Sequence, residues 1–145
     1  VTAILNKAMK SVHLHFPHLE VSLKVEPEAE CVLADKDRMT QVFVNILENA
    51  ARYNDKEKPT CNVRSEKIDD SVVISFSDNG IGVSEKHLSK IFDSFYQVDM
   101  GSGRKVGGTG LGLSICRGIM AAHGGKIWAE QNPKGGTVFK ISLSL

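Results

Sequence analysis

The chain has 145 residues, 41% of them hydrophobic, and its 18 Lys and Arg are balanced by 17 Asp and Glu scattered along the sequence. This size fits one globular domain with its own core, and the net charge of +1 argues against a broad nucleic-acid footprint. The three cysteines lie far apart and outside any CxxC pair, which argues against a disulfide framework or a zinc site and favours a reducing compartment. Apolar runs fall short of the roughly 18 residues of a membrane span, and a start without Met indicates a fragment.

The first part of the chain changes from a helical to a strand period. Apolar residues at helical spacing predict a short amphipathic helix over 3–12. Alternating residues over 21–25 and an apolar stretch over 31–33 predict two strands, separated by a Glu-Pro-Glu turn signal. We expect these two strands to pair as a hairpin.

Residues 35–50 carry the strongest helical pattern in the chain. Asp35 or Asp37 can serve as its N-cap, and apolar residues recur at the spacing of one buried stripe. The stripe consists of Met39, Val42, Phe43, Ile46, Leu47 and Ala50.

Two further strand pairs and two further helices are expected in the second half. The strands are predicted over 61–66 and 71–77 around an Asp69-Asp70 turn, and over 126–130 and 137–145 around a turn at 132–136. A short helix is predicted from Ser84, with Leu88, Ile91 and Phe92 on its apolar side. Another is predicted from Thr109 or Gly110 to about His123, with Leu111, Ile115 and Ile119 on one ridge and Gly124-Gly125 as its stop.

The order of elements is therefore a helix and two strands, three times over. Strands adjacent in sequence usually pair antiparallel, so we expect an α+β fold with a mixed, mostly antiparallel sheet. Its helices would cover a single face, which makes a two-layer α/β sandwich.

The stretch GGTGLGLSIC at 107–116 is rich in glycine, a residue that permits close approach of the backbone to a ligand. It fits neither the P-loop pattern GxxxxGK[ST] nor the dinucleotide pattern GxGxxG after a strand. A phosphate-binding loop and a flexible hinge are both open interpretations. The preceding irregular segment is long for a connection within a domain, which favours a functional or mobile segment.

The long helix also has a polar ridge. Gln41, Asn45 and Asn49 lie four residues apart, and Arg52 and Tyr53 continue the ridge one turn later. A solvated face is one interpretation. Because Asn is a mediocre helix former, a shared ligand is the other, and an amide oxygen is a suitable ligand for Mg²⁺ beside phosphates.

A carboxylate is predicted on an apolar sheet face. The strand period that buries Val72, Ile74 and Phe76 places Asp78 on the same face, just before the Asn79-Gly-Ile-Gly82 turn. An ordinary turn is one interpretation, but a buried carboxylate needs a donor, and the exocyclic amine of a purine between glycines would supply one. The same parity places the hydroxyl of Thr137 on the apolar side.

Several motifs, in this order and spacing, resemble the N, G1, F, G2 and G3 boxes of the catalytic ATP-binding domain of sensor histidine kinases. They are Asn45-Ile-Leu-Glu-Asn49-Ala-Ala-Arg-Tyr53, Asp78-Asn-Gly-Ile-Gly82, Ile91-Phe-Asp-Ser-Phe95, Gly107-Gly-Thr-Gly-Leu-Gly-Leu113 and Gly135-Gly-Thr137. The resemblance covers nearly the whole chain, residues 1–145. It implies the Bergerat fold shared with gyrase, heat-shock chaperone and mismatch-repair ATPases, with a mobile ATP lid at about 93–108.

The resemblance implies ATP and Mg²⁺ as cofactors and assigns a role to each matching residue. Asn49 is implied as the Mg²⁺ ligand with Asn45 in support, and Glu48 as the acid that orients or deprotonates the attacking imidazole. The remaining implied nucleotide contacts are Arg52, Tyr53, Asp78 for the adenine amine, Gly80, Gly82, Lys105, Gly108, Thr109, Gly110, Leu111, Gly112 and Thr137. Phe92 and Phe95 would anchor the lid. The family more often has Lys in place of Arg52, which keeps the charge but changes its geometry.

The implied reaction is transfer of the γ-phosphoryl group of ATP to a histidine on a separate dimerisation domain. A motif resembling His-Glu-Leu-Arg-Thr-Pro is absent from the 145 residues, so that domain is not part of this chain. His13, His15 and His18 fit surface or packing positions better than a phosphoacceptor or a metal cluster, and His87 and His123 fit surface or helix-end positions.

The implied partners are the phosphoacceptor domain of the same kinase, homodimeric in the parent, and a response regulator. We expect no nucleic acid, no direct membrane contact, and a cytoplasmic location in a parent that is either free or membrane-anchored. The alternatives are an ATPase that drives a conformational cycle and an inactive nucleotide-binding signalling module.

Overall fold

The computed structural model describes residues 1–97 and 111–145. Its helices are α1 (Thr2–His15), α2 (Lys36–Arg52) and α3 (Gly112–Ala122). Its strands are β1 (Glu20–Val25), β2 (Thr60–Ile68), β3 (Ser71–Asp78), β4 (Lys126–Gln131) and β5 (Thr137–Ser144). In these residues no helix is both long and apolar enough to cross a membrane.

The five strands form one mixed sheet in the order β1-β2-β3-β5-β4. β1 pairs parallel with β2, and the other three pairings are antiparallel. A parallel pair needs a crossover connection, and α2 supplies it between β1 and β2. The predicted two-layer α/β architecture is confirmed.

One face of the sheet packs against the helices. Every second residue of β3, from Val72 to Asp78, is buried, and β5 alternates in the same way from Thr137. The apolar stripe of α2 covers this face, and the Phe43 ring meets the Phe76 ring edge to face with centroids 5.1 Å apart. The stripe predicted for the long helix is buried throughout.

The N-terminus of α2 is capped by Asp35, one of the two predicted caps. Its Oδ1 accepts a hydrogen bond of 2.9 Å from the backbone N–H of Arg38. The other candidate, Asp37, lies in the first turn and pairs with Lys7 at 2.6 Å.

The predicted hairpin over 21–25 and 31–33 is wrong. Residues 31–33 form no strand, and Leu33 is 81% exposed. Pro27 instead begins a 3₁₀ turn, Pro27–Ala29, whose last carbonyl accepts from the buried Ser65 hydroxyl at 2.8 Å. The turn thus bonds to β2, and β1 is an edge strand that pairs with β2.

Three predictions around the helices and strand ends need correction. The helix predicted from Ser84 is only a 3₁₀ turn, Glu85–His87, and the Ser84 hydroxyl makes no capping bond, although Ile91 and Phe92 are buried. In α3 the buried residues are Cys116 and Met120, whereas Ile115 is 42% exposed. β5 ends at Ser144, so Leu145 lies outside the buried face and is 48% exposed.

Two glycines near the end of α3 offer a matched stability test. Gly118 lies inside the helix, and an added Cβ would meet open space, so Gly118→Ala should raise the unfolding free energy by about 0.5–1 kcal/mol. At Gly125 an added Cβ would lie 2.3 Å from the Ser142 carbonyl oxygen, so Gly125→Ala should lower it by about 1–3 kcal/mol. Urea unfolding of both variants measures the two values. Equal effects would contradict the packing described for Gly125.

Candidate functional site

The carboxylate of Asp78 lies at the end of β3, on the buried face of the sheet. The residue is 6% exposed, and its Oδ1 accepts hydrogen bonds from the backbone N–H groups of Gly80 at 2.9 Å and Thr137 at 3.1 Å. Burial raises the pKa of Asp78, and the two backbone hydrogen bonds partly oppose that rise. Both bonds end on Oδ1, which makes Oδ2 the oxygen for a further donor.

Glycines surround this carboxylate where only bare backbone fits. A Cβ on Gly80 would lie 2.3 Å from the Tyr53 carbonyl oxygen, and a Cβ on Gly136 would lie 2.1 Å from the Asp78 carbonyl oxygen. Gly82 has a φ of 78° and faces Gly136. The end of α2 and the β4–β5 turn therefore meet at the end of β3, around Asp78.

The polar ridge of α2 contacts the first turn of α3. The side-chain amide of Asn45 donates to the Gly112 carbonyl at 3.3 Å and lies 3.5 Å from the Cys116 thiol. Burial raises the pKa of that thiol to about 11. Asn45 thus ties the long helix to the residue at which α3 begins, and Glu48 and Asn49 are half-buried further along the same helix.

The sequence family of histidine kinase-, DNA gyrase B- and HSP90-like ATPases matches residues 34–145. The chain belongs to this family. Among its relatives, the sensor protein kinase WalK of Staphylococcus haemolyticus is 44% identical over 110 residues, which cover 75% of this chain and 18% of WalK. The chain thus spans about a fifth of the length of that relative.

Solved structures agree with the family assignment. The mycobacterial sensor histidine kinase MprB superposes with a TM-score of 0.87 at 25% identity, covering 99% of this chain and 94% of MprB. The catalytic domain of the histidine kinase ThkA gives 0.76 at 31% identity, covering 97% and 93%. ThkA has also been solved in complex with the response regulator protein TrrA. The chain is an ATP-binding domain of the sensor histidine kinase type.

In this kinase-type domain the N-box helix and the Asp78 turn are joined by a pair of asparagines. The Asn79 side chain accepts from Asn54 at 2.7 Å and from the Thr60 N–H at 2.9 Å, and it donates to the Lys58 carbonyl at 3.0 Å. The Ile81 N–H adds a bond of 3.1 Å to the Tyr53 carbonyl. The sequence predicts Asn79 only as a turn residue, because nothing in a turn signal indicates a partner 25 residues away.

Arg52 lies over an aromatic ring in this structure. Its guanidinium carbon is 5.7 Å from the centroid of Phe16, at the C-cap of α1, a cation–π geometry. Among the described residues Arg52 has no ion pair, so the aromatic contact is the one that positions its charge. The predicted phosphate contact of Arg52 stays a prediction.

The two predicted lid anchors behave differently. Phe92 is 5% exposed and packs edge to face on Phe139 with centroids 6.2 Å apart, but Phe95 is 73% exposed with a φ of 64°. The prediction that Phe95 packs as an anchor is therefore wrong. Tyr96, which no sequence motif indicates as a lid anchor, is half-buried and hydrogen-bonds to the His87 ring.

Much of the predicted phosphate loop lies outside the described residues, including Lys105, Gly108, Thr109 and Gly110 and most of the 93–108 lid. Leu111 occupies the N-cap position of α3 and Gly112 its first turn. Within residues 1–97 and 111–145, no three His, Cys, Asp or Glu side chains are grouped to hold a metal.

The histidines occupy the structural positions expected for them. His123 follows α3, where its Nδ1 donates to the Ile119 carbonyl at 2.8 Å and its Nε2 accepts from the Asp35 N–H at 3.1 Å. His13 contacts the Leu19 carbonyl at 2.9 Å through its Nε2. His15 and His18 are exposed.

Because the pKa of Asp78 is raised, the ionised carboxylate should destabilise the folded chain. An aspartate whose pKa in the folded chain lies above its ordinary 3.8 is destabilising when ionised, and the cost disappears as pH falls through the folded value. Asp78→Asn keeps an acceptor for both N–H groups without the charge. We expect this variant to unfold at a higher temperature than the wild type at pH 7, with the difference closing toward pH 4.

Glu130 provides a control of opposite sign. Hydrogen bonds from Lys140 and then Trp128 lower the pKa of Glu130, so its ionised form is stabilising above its ordinary pKa. Glu130→Gln should slightly lower the unfolding temperature at pH 7, an effect lost as pH falls through the lowered pKa. If Asp78→Asn instead unfolded at a lower temperature than the wild type at pH 7, the expected destabilisation by the buried Asp78 charge would be contradicted.

Proposed function

We propose that this chain is the catalytic domain of a sensor histidine kinase, which binds Mg²⁺-ATP and transfers the γ-phosphoryl group to a histidine on a separate domain of the same kinase. The observation that carries the proposal is the buried Asp78 carboxylate. It is held through Oδ1 alone, among glycines, at the end of the sheet. The proposed kinase domain spans residues 1–145.

Asp78 is proposed to recognise the adenine base. Its Oδ2 would accept from the exocyclic amine, a charge-assisted hydrogen bond in a site shielded from water. The bare backbone at Gly80 and Gly136 lets the Tyr53 and Asp78 carbonyl groups approach closely, which packs main chain around the carboxylate, and Gly82 is proposed to shape the base pocket. Thr137, which is 3% exposed, is proposed to contact the adenine through water.

The phosphates are proposed to lie between α2 and the N-terminus of α3. Backbone N–H groups at Leu111 and Gly112 would face them with the favourable end of the helix dipole, together with Thr109 and Gly110. Lys105 and Gly108 would complete these contacts from the lid. The Asn45 side chain of α2 holds Gly112 at the N-terminus of α3. A helix N-terminus beside α2 is a suitable site for the phosphates of a nucleotide.

Asn49 is proposed as the protein ligand of Mg²⁺. Such an ion takes few protein ligands when it is shared with phosphates, and when bound it neutralises developing charge on the transferred group. Asn45 is a supporting residue in this scheme, because its amide already holds Gly112 of α3. Asn45 is also the second candidate ligand of the ion.

Glu48, next to Asn49, is proposed to orient or deprotonate the attacking imidazole. Arg52 and Tyr53 are proposed to contact the nucleotide, for which the Arg52 side chain would exchange its place over Phe16 for the phosphates. Arg52 and Phe16 are both half-buried, and a cation–π contact is worth about 0.5–2 kcal/mol between exposed and desolvated sites, so bonds to phosphate would have to offset a cost in this range.

The proposed partners are the dimeric phosphoacceptor domain of the same kinase and a response regulator. The complex of ThkA with TrrA supports a regulator as partner. A cytoplasmic site of action follows from these partners. Two other functions are an ATPase that drives a conformational cycle and a nucleotide-binding module without catalysis. An activity test distinguishes both from a kinase.

Asp78→Asn should weaken ATP binding about 10- to 100-fold, because a hydrogen bond to a charged group contributes about 1.5–3 kcal/mol. Titration calorimetry of the chain with Mg²⁺-ATP measures the loss. Glu130→Gln, a carboxyl removed from the outer face of the sheet, is the matched control and should leave affinity unchanged. Unchanged affinity in Asp78→Asn would remove Asp78 from the base site.

Incubation with γ-labelled ATP, with and without the parent's phosphoacceptor domain, tests the transfer. We expect label on that domain, dependence on Mg²⁺, and a loss of at least about 100-fold in Asn49→Ala, by analogy with other losses of charge stabilisation in a transition state. Asn62→Ala, on the outer sheet face, should retain wild-type transfer. Release of inorganic phosphate without labelled protein would favour an ATPase, and full transfer by Asn49→Ala would remove Asn49 from the metal site.

A further inference from the structure

Asn132, which lies outside the sequence motifs, is also hydrogen-bonded to Asp78. Asn132 begins the turn between β4 and β5, and its side-chain amide donates to the Asp78 backbone carbonyl at 3.2 Å. The two residues are 54 positions apart and belong to strands that are not neighbours, because β5 lies between β3 and β4. The Asn132 side chain therefore crosses the end of β5 to reach β3.

The contact lies just beyond the end of the two ladders that involve β5. The pairing of β3 with β5 runs as far as Ser77 and Val138, and that of β4 with β5 as far as Gln131 and Thr137. On the side that faces β5, Asp78 thus follows the last paired residue of β3, whereas on the other side it still pairs with Cys61 of β2. Asn132 bonds to the Asp78 carbonyl where the pairing with β5 has ended.

The turn has enough internal bonds to form without this contact. The Asn132 N–H donates to the Gly136 carbonyl at 3.1 Å, and the Asn132 carbonyl accepts from the Gly135 N–H at 2.9 Å. The Asn132 side-chain oxygen accepts from the Lys134 N–H at 3.2 Å. The bond from Nδ2 to Asp78 is an addition that fixes the position of the turn rather than its shape.

Fixing the turn fixes the carboxylate. Gly136, with a φ of 89°, lies so close to the Asp78 carbonyl that a Cβ there would approach to 2.1 Å. The next residue, Thr137, donates its N–H to Asp78 Oδ1. Movement of the turn away from β3 would therefore lengthen one of the two bonds that orient the carboxylate.

We propose that Asn132 is a positioning residue for adenine recognition: it holds the β4–β5 turn against Asp78, so that Oδ2 stays aimed at the exocyclic amine of the base. This inference rests on the proposed function, in which Asp78 accepts from that amine. Asn132 itself contacts no nucleotide atom in the proposal. Its loss should impair discrimination of the amine more than binding of the rest of the nucleotide.

The test compares two nucleotides on the same chain. ATP and purine riboside triphosphate differ by the exocyclic amine, so the ratio of their Kd values isolates its recognition. In the wild type we expect ATP to bind at least about tenfold more tightly, the value of one charged hydrogen bond. Asn132→Ala should weaken ATP about three- to tenfold and the purine nucleotide less than about twofold, since it removes one neutral positioning bond.

A second variant, Asn132→Asp, distinguishes the bond within the turn from the bond to Asp78. Asn132→Asp keeps an oxygen for the Lys134 N–H but presents an acceptor to the Asp78 carbonyl, so it should show the same selective loss. Asn62→Ala is the control, because Asn62 is an exposed asparagine that accepts from Ser22 at 2.6 Å on the outer face of the sheet. It should leave both affinities unchanged.

The outcomes are distinct. Equal weakening of both nucleotides by Asn132→Ala and Asn132→Asp, or an unchanged ratio, would overturn the positioning role while leaving the proposed function intact. A wild-type chain that does not prefer ATP would overturn the assignment of Asp78 and this inference with it. Selective loss of the ATP preference in both variants would establish the role of Asn132.

Discussion

The site depends on one carboxylate kept on the dry side of a sheet. Strand parity places Asp78 in line with Val72, Ile74 and Phe76, so its ionisation is opposed by burial. Two backbone N–H groups offset part of that cost, and both come from turns that glycines make possible. The turns at 79–82 and 132–136 therefore each bring one donor to this group.

Close backbone contact is the second constraint, and it explains why the glycines cannot be exchanged. At Gly80 and Gly136 the nearest atom to an added Cβ is a main-chain carbonyl oxygen, which cannot move aside as a flexible side chain can. At Gly135, by contrast, an added Cβ would meet nothing within 4 Å. Adjacent glycines of one turn thus serve different purposes, the first for its φ of 97° and the second for both its φ and its contact with Asp78.

The elements that repeat a simple period could be predicted from the sequence. The stripe of α2, the parity of β3 and the Asp35 cap all follow from local spacing, and the structure confirms them. The prediction of a strand over 31–33 was wrong, because three apolar residues do not indicate whether another strand is available for pairing. Phe95 failed for a similar reason: its left-handed backbone turns the ring outward, and no pattern of residue types encodes that rotation.

Contacts between distant residues were beyond the sequence altogether. Asn79 bonds to Asn54, and Asn132 to Asp78, across 25 and 54 positions. Each asparagine begins or occupies a turn, where its composition alone predicts only local bonding. The Asn132 oxygen makes the local bond, to the Lys134 N–H, while its amide nitrogen reaches Asp78. Both ends of the Asn79 amide reach the distant residues Asn54, Lys58 and Thr60, so a residue type typical of turns joins parts of the site. The ladders with β5 end at Ser77 of β3 and Gln131 of β4, so on this side of Asp78 a side-chain hydrogen bond from Asn132 holds the carboxylate's strand where backbone pairing stops.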